Sequence, residues 1–313
     1  MLIRCFITNA HRSFLPKTEN TEFCVRICVH SLCYTVRVIK IEGEFDMENK
    51  NIVIVKHHPR PLKPSNPFYT TQCPDIEQRV VINLTSRNPD RSFAEQVSPF
   101  YVGPVTGPDG ATAPNLEVFW QIGKVFPNHD NGGQPSEEYF KYREKMYSAA
   151  PGEIPKPIMR HPYHQFGYEA DDVCYWAYWN AEKGEYERLS YLEGRKKVYI
   201  PEYAKLVAGS DALRWIKSLL DEGKKIALLD FDGFNYYNEE AMRIRYRAYV
   251  NKCRKEKRPI VCSEKDFTDI KDMKSAVNFA YTPVGHAFVV KALLQGDLEV
   301  VDGKVIDHPG MLS

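Results

Sequence analysis

Hydrophobic positions over residues 1–90 fall in short runs dense in β-branched and aromatic side chains. "EFCVRICVHSLCYTVRVIKIEGEFD" at 22–46, "NKNIVIVKHH" at 49–58 and "IEQRVVINLT" at 76–85 each read as strands. Between the last two lies "PRPLKPSNPF", whose four prolines make a stiff, irregular connector. The pattern predicts a small mixed or antiparallel sheet over residues 1–90, forming a β-rich N-terminal domain.

Beyond that point the period changes. "SPFYVGPVTGPDGATAP" is broken by Gly and Pro and reads as loop, with Pro114 suited to a helix's first turn. "LEVFWQIGKVF" reads as a helix limited by Gly123 and Pro127, and "SEEYFKYREKMYSAA" as a second, capped by Ser136. A long proline-rich loop occupies 151–172, after which helical and strand patterns alternate. "IPEYAKLVAGSDALRWIKSLLDEG" gives two helices, the second capped at Ser210 or Asp211, and "KIALLDFDG" a strand. "NEEAMRIRYRAYVNKCRKEK" and "PVGHAFVVKALLQG" are helical, and "LEVVDGKVI" is a hairpin turning at Asp302-Gly303. The fold class that follows is α+β, with a mainly helical, pocket-bearing domain over 91–313.

Composition narrows the class. In 313 residues, 42 Lys plus Arg balance 41 Asp plus Glu, so no strongly charged partner is demanded. The eight cysteines lack the density of a secreted disulfide scaffold, and Cys24, Cys28 and Cys33 contain no CxxC pair. No apolar run approaches membrane-spanning length and no signal peptide opens the chain, so a cytoplasmic protein without membrane attachment is expected.

Candidate chemistry lies in six places. Glu117, Gln121 and Lys124, at offsets of four and three, would share one side of a helix, facing either water or a pocket. Asp230 and Asp232 end an apolar strand, where they would line a cleft or hold Mg²⁺ for phosphotransfer. His161 and His164, with Asp171 and Asp172, lie in the long loop but lack a compact third ligand, and no metal is assigned. Trp176, Tyr178 and Trp179 could stack on a base while Arg195, Lys196 and Lys197 meet phosphates, and the run "RIRYRAYVNKCRKEKR" offers a basic helix to nucleic acid. In each case a packed core or a solvated face explains the same residues. His286 and Lys291 sit on the late helix, the histidine at the core edge.

The segment "SPFYVGPVTGPDGATAPNLEVFWQIGKVFP" resembles the opening of the NADAR (YbiA-like) family. Phe100 and Tyr101 match its aromatic pair, Gly110 its loop glycine, and Glu117, Gln121 and Lys124 its glutamate-bearing helix. Pro99 replaces the family's asparagine and Val118 a frequent imidazole, and "PVGHAFVVKALLQG" resembles a second family helix. The resemblance implies hydrolysis of an N-glycosidic bond in an ADP-ribosylated or phosphoribosyl nucleotide-like substrate, with no cofactor. Glu117 would stabilise the oxocarbenium centre or orient water, and Lys124 would offset phosphate charge or assist the leaving group. Gln121, Tyr101 and Trp120 would bind base or ribose, with Trp179, Asp232 and His286 as further substrate contacts. A non-catalytic nucleotide or nucleic-acid binding protein is the alternative.

Overall fold

The computed structural model describes residues 50–150 and 175–313, together with the backbone of a hairpin formed by β1, Glu22–Val29, and β2, Leu32–Ile39. That hairpin is antiparallel and belongs to a unit spanning Met1–Lys50, while Asn51–Ser313 forms a second compact unit. The second unit contains β3 (Ile52–Lys56), β4 (Val80–Asn83) and α1 (Arg91–Val97). It continues with α2 (Leu116–Ile122), β5 (Lys124–Val125), α3 (Glu137–Tyr147), β6 (Tyr175–Asn180) and β7 (Glu185–Leu189). Then come α4 (Ile200–Val207), α5 (Asp211–Asp221), β8 (Ile226–Asp230), α6 (Glu239–Lys255), α7 (His286–Gln295), β9 (Leu298–Val301) and β10 (Lys304–Asp307). Helices and small sheets thus share one body, and the class is α+β.

At its centre β8 lies between β3 and β4, parallel to both. Residues 51–90, grouped by sequence with the β-rich region, therefore lie within the Asn51–Ser313 unit, and their two strands each pair in parallel with β8, far along the chain, and not with each other. The reason is burial on both faces. Ile52, Ile54, Ile82, Ile226 and Leu228 face the large core, while Val53, Val55, Ala227 and Leu229 face Tyr69, Cys73 and Ile76. Continuous apolar runs of this kind suit a covered parallel sheet. All five β8 residues are buried.

Local chemistry sets the element ends. Asn115, Ser136, Ser210 and Asn238 cap α2, α3, α5 and α6 through their side-chain oxygens. The helical run from Tyr191 to Val207 opens with a Ser190–Glu193 capping box and widens into a π-turn at Arg195–Tyr199. Pro201 has no N–H to give and would crowd the carbonyl four residues before it. The wide turn relieves that conflict, and the Ile200 N–H donates to Arg195, five residues back. Asp302 and Gly303 both adopt positive φ, joining β9 to β10 as the sequence pattern requires. Among the described residues no helix is long and apolar enough to cross a membrane.

Candidate functional site

Helix α2 ends at Ile122, with Gly123 as its C-cap, so Lys124 is not part of the helix but opens the short strand β5 opposite Trp176. Its ammonium nevertheless turns back to the helix. Lys124 Nζ donates to Gln121 Oε1 at 2.7 Å, and Gln121 Nε2 donates to Glu117 Oε1 at 3.3 Å. Lys124 is only 2% exposed, and Glu117 and Gln121 are half-buried. The stripe is a hydrogen-bonded relay in the protein wall, and not a solvated face.

Trp120 completes that wall. It stacks on Trp176 with centroids 6.1 Å apart and lies 5.3 Å from Tyr199. The Trp176 indole N–H donates to the Trp120 carbonyl at 3.1 Å, and the ring passes so close to Gly123 that a Cβ there would stand 2.1 Å from it. Glycine at 123 is thus a packing requirement, although its backbone is ordinary helix.

Tyr199, the last residue of the π-turn, joins this wall to the sheet. Its ring stacks on Tyr203 at 6.4 Å. Burial, followed by the charges of Asp230, Tyr203, Glu117 and Asp232, raises its phenol well above the usual range. The carboxylates of Glu117, on α2, and Asp232, just past β8, therefore act on one hydroxyl. No sequence pattern singled out Tyr199; the only local signal was Pro201 within a helical run.

The carboxyl ends of β3, β4 and β8 form the neighbouring edge, the position where parallel sheets place ligands. Asp230 is 2% exposed and fully engaged there. Its Oδ2 accepts from the Ala287 N–H at 2.9 Å, capping α7 where Gly285 supplies no side-chain cap. Its Oδ1 accepts from the Asp232 N–H at 3.2 Å. These bonds make Asp230 a structural cap and leave it poorly placed as a nucleophile. Among the described residues no group of three or more His, Cys, Asp or Glu is placed to hold a metal ion.

Asp232 differs from its neighbour. It is solvent-exposed at the edge of a cavity of about 450 Å³ that it helps to line, with protein crowding the carboxyl from the other side. That burial, reinforced by Asp230 and opposed by Arg245, Lys56 and His286, pushes the carboxyl up to about 6. Lys56, exposed along its side chain, has its ammonium pKa lowered by partial burial and by Arg245, against the pull of Asp232. Lys56 escaped the sequence reading because nothing local marks "IVIVK" as a strand ending beside β8.

The other expected contacts lie elsewhere or are already engaged. His286 Nε2 donates to the Leu84 carbonyl at 2.9 Å and Nδ1 lies 3.3 Å from Asp230 Oδ2, so both ring nitrogens serve the sheet edge and not a substrate. The Tyr101 ring is covered by the Arg91 guanidinium at 3.7 Å. Trp179 packs against Tyr186 beside Asp109 and Arg143, around a different and much smaller void. Arg195, expected to meet phosphate, is buried and donates to the carbonyls of Val277, Phe279 and Thr282. On the basic helix α6, Arg243 pairs with Glu239 and Glu264, and Arg247 with Glu240, which spends much of the charge offered to nucleic acid. His161, His164, Asp171 and Asp172 lie outside the described residues, as do the side chains of Cys24, Cys28 and Cys33. Comparison with protein-family models, curated proteins and solved structures finds no match.

Proposed function

We propose that this chain hydrolyses an N-glycosidic bond in an ADP-ribosylated or phosphoribosyl nucleotide-like substrate, within a NADAR-like arrangement centred on α2. The observation that carries the reading is the half-buried Glu117 carboxylate, held by Gln121 and through it by buried Lys124, with the charges of Glu117 and Asp232 both contributing to the raised pKa of the buried Tyr199 phenol. Two carboxyl groups with different environments are what cleavage of a glycosidic bond requires.

Asp232, protonated over part of the neutral range, is suited to donate its proton to the departing nitrogen as the C1′–N bond breaks and its electron pair leaves with the base. Positive charge then grows on C1′ and the ring oxygen. The Glu117 carboxylate stabilises it and takes the proton of the attacking water, whose oxygen forms the new bond to C1′. Gln121 holds one Glu117 oxygen, and buried Lys124 holds Gln121, so Lys124 serves as a positioning residue rather than a phosphate contact.

Mass spectrometry of wild type and Glu117→Gln, incubated with ADP-ribosylated bases, NAD-like nucleotides and phosphoribosyl amines, tests this. Wild type should release free base or amine, and the variant should be slower by about 10²-fold or more with an unchanged melting curve. Equal turnover by the variant, or retention of intact ligand by wild type without product, would refute the assignment. The second outcome would favour a nucleotide-binding protein.

A further inference from the structure

The cavity bordered by Asp232 has a built character that the Glu117 wall does not use. Phe68, Phe231, Tyr249, Phe267 and Tyr281 give it aromatic sides, contributed by segments on both sides of the β8 end. Arg245 from α6 reaches its floor, with the guanidinium 4.5 Å above the Phe234 ring and Nη1 donating to the Gly233 carbonyl at 3.3 Å. Arg245 Nε is buried with no hydrogen-bond acceptor among the described residues. Lys56, exposed along its side chain, also lines the cavity. Lys252 stands at the margin, 3.6 Å from Glu256.

Aromatic sides select a flat ring, whose face gains dispersion and stacking. Two cations held together with one carboxyl leave a positive excess, which an anionic group on a ligand would offset through charge-assisted hydrogen bonds. The volume lies in the range that takes a drug-sized ligand. We infer that this cavity is a binding site for a planar aromatic group bearing an anion, such as a nucleoside monophosphate, with Arg245 and Lys56 receiving the anionic group. The cavity shares Asp232 with the proposed N-glycosidase site, so this deepens that reading by naming the group held beside Asp232, while the binding is argued from the cavity lining and read without turnover.

Calorimetric titration of the full chain with AMP, adenosine, inorganic phosphate and benzoate tests it without relying on turnover. AMP should bind saturably and at least about tenfold tighter than adenosine or phosphate alone, since each supplies half of the recognition. Benzoate matching AMP would also uphold the site, and would name an aromatic carboxylate as the source of the anion. Arg245→Gln should weaken AMP at least about tenfold. Because Arg245 packs against Phe234, two variants at water-accessible positions accompany it. Lys56→Gln should weaken AMP several-fold, and Ala248→Phe, which projects a ring into the cavity, should abolish binding. Absence of binding by any aromatic anion, equal affinity for adenosine and AMP, or AMP binding unaltered in folded Lys56→Gln and Ala248→Phe would overturn the inference.

Discussion

Asp230 and Asp232 are two residues apart, chemically identical, and set to different tasks by their surroundings. Asp230 gives both oxygens to backbone N–H groups and caps a helix. Asp232 faces a cavity with its carboxyl pushed up to about 6, first by burial and then by Asp230. If Asp232 is the proton donor, turnover should fall as pH rises through about 6, because the deprotonated group has no proton to give. The pH profile of single-turnover base release checks this, and Asp232→Asn should abolish that dependence along with most of the rate. A profile in which the wild-type rate still rises above pH 7 would assign the proton to another group. The sequence placed both aspartates at a strand end. It could not distinguish them, because the distinction comes from the start of α7, some 55 residues later.

At the scale of elements, the contact between β8 and α7 positions the site. A Cβ on Gly285 would lie 2.1 Å from Asp230 Oδ2, so the helix docks on the carboxylate only with glycine there. Gly285→Ala should force α7 outward, lose the Ala287–Asp230 bond and cost about 2–3 kcal/mol in denaturant unfolding. An alanine variant as stable as wild type would show that the cap contributes little. The sequence predicted α7 as a helix. It likewise predicted α2, with its glutamate stripe, but extended the helix through Lys124. The hydrogen-bonded relay survives because a strand residue can reach back as well as a helical one.

Across the whole molecule, stability should carry the mark of Lys291, which is fully buried on α7. Its ammonium donates to the Tyr237 hydroxyl at 3.3 Å and lies 4.3 and 4.8 Å from the Tyr237 and Tyr236 ring centroids. Burial pulls its pKa down to about 7, opposed by Asp297 and helped by Arg79. Unfolding restores an ordinary lysine near 10.5. Between those values the unfolded chain holds a proton that the native chain lacks, so this residue makes stability rise with pH from about 7 to 10.5. Below pH 7 the full cost of burying the charge is present. Lys291→Met should therefore flatten that rise and stabilise the protein at pH 6 by about 2–4 kcal/mol in urea unfolding. A destabilised variant with the slope intact would mean that the two tyrosines more than offset the burial.

The sequence by itself determined where most elements begin and turn: the caps at Ser136 and Ser210, the hairpin at Asp302-Gly303, and the strand ending in Asp230. These depend on a residue and its neighbours within a few positions, and periodicity and side-chain hydrogen bonding read directly from that window. Only the tertiary structure decided that β3 and β4 flank β8, that Tyr199 packs against Trp120, and that Lys56 and Arg245 share a cavity. Each of those facts joins residues that are distant along the chain. Parallel pairing and shared burial are set by which apolar faces cover one another, and that choice is made by the folded core as a whole.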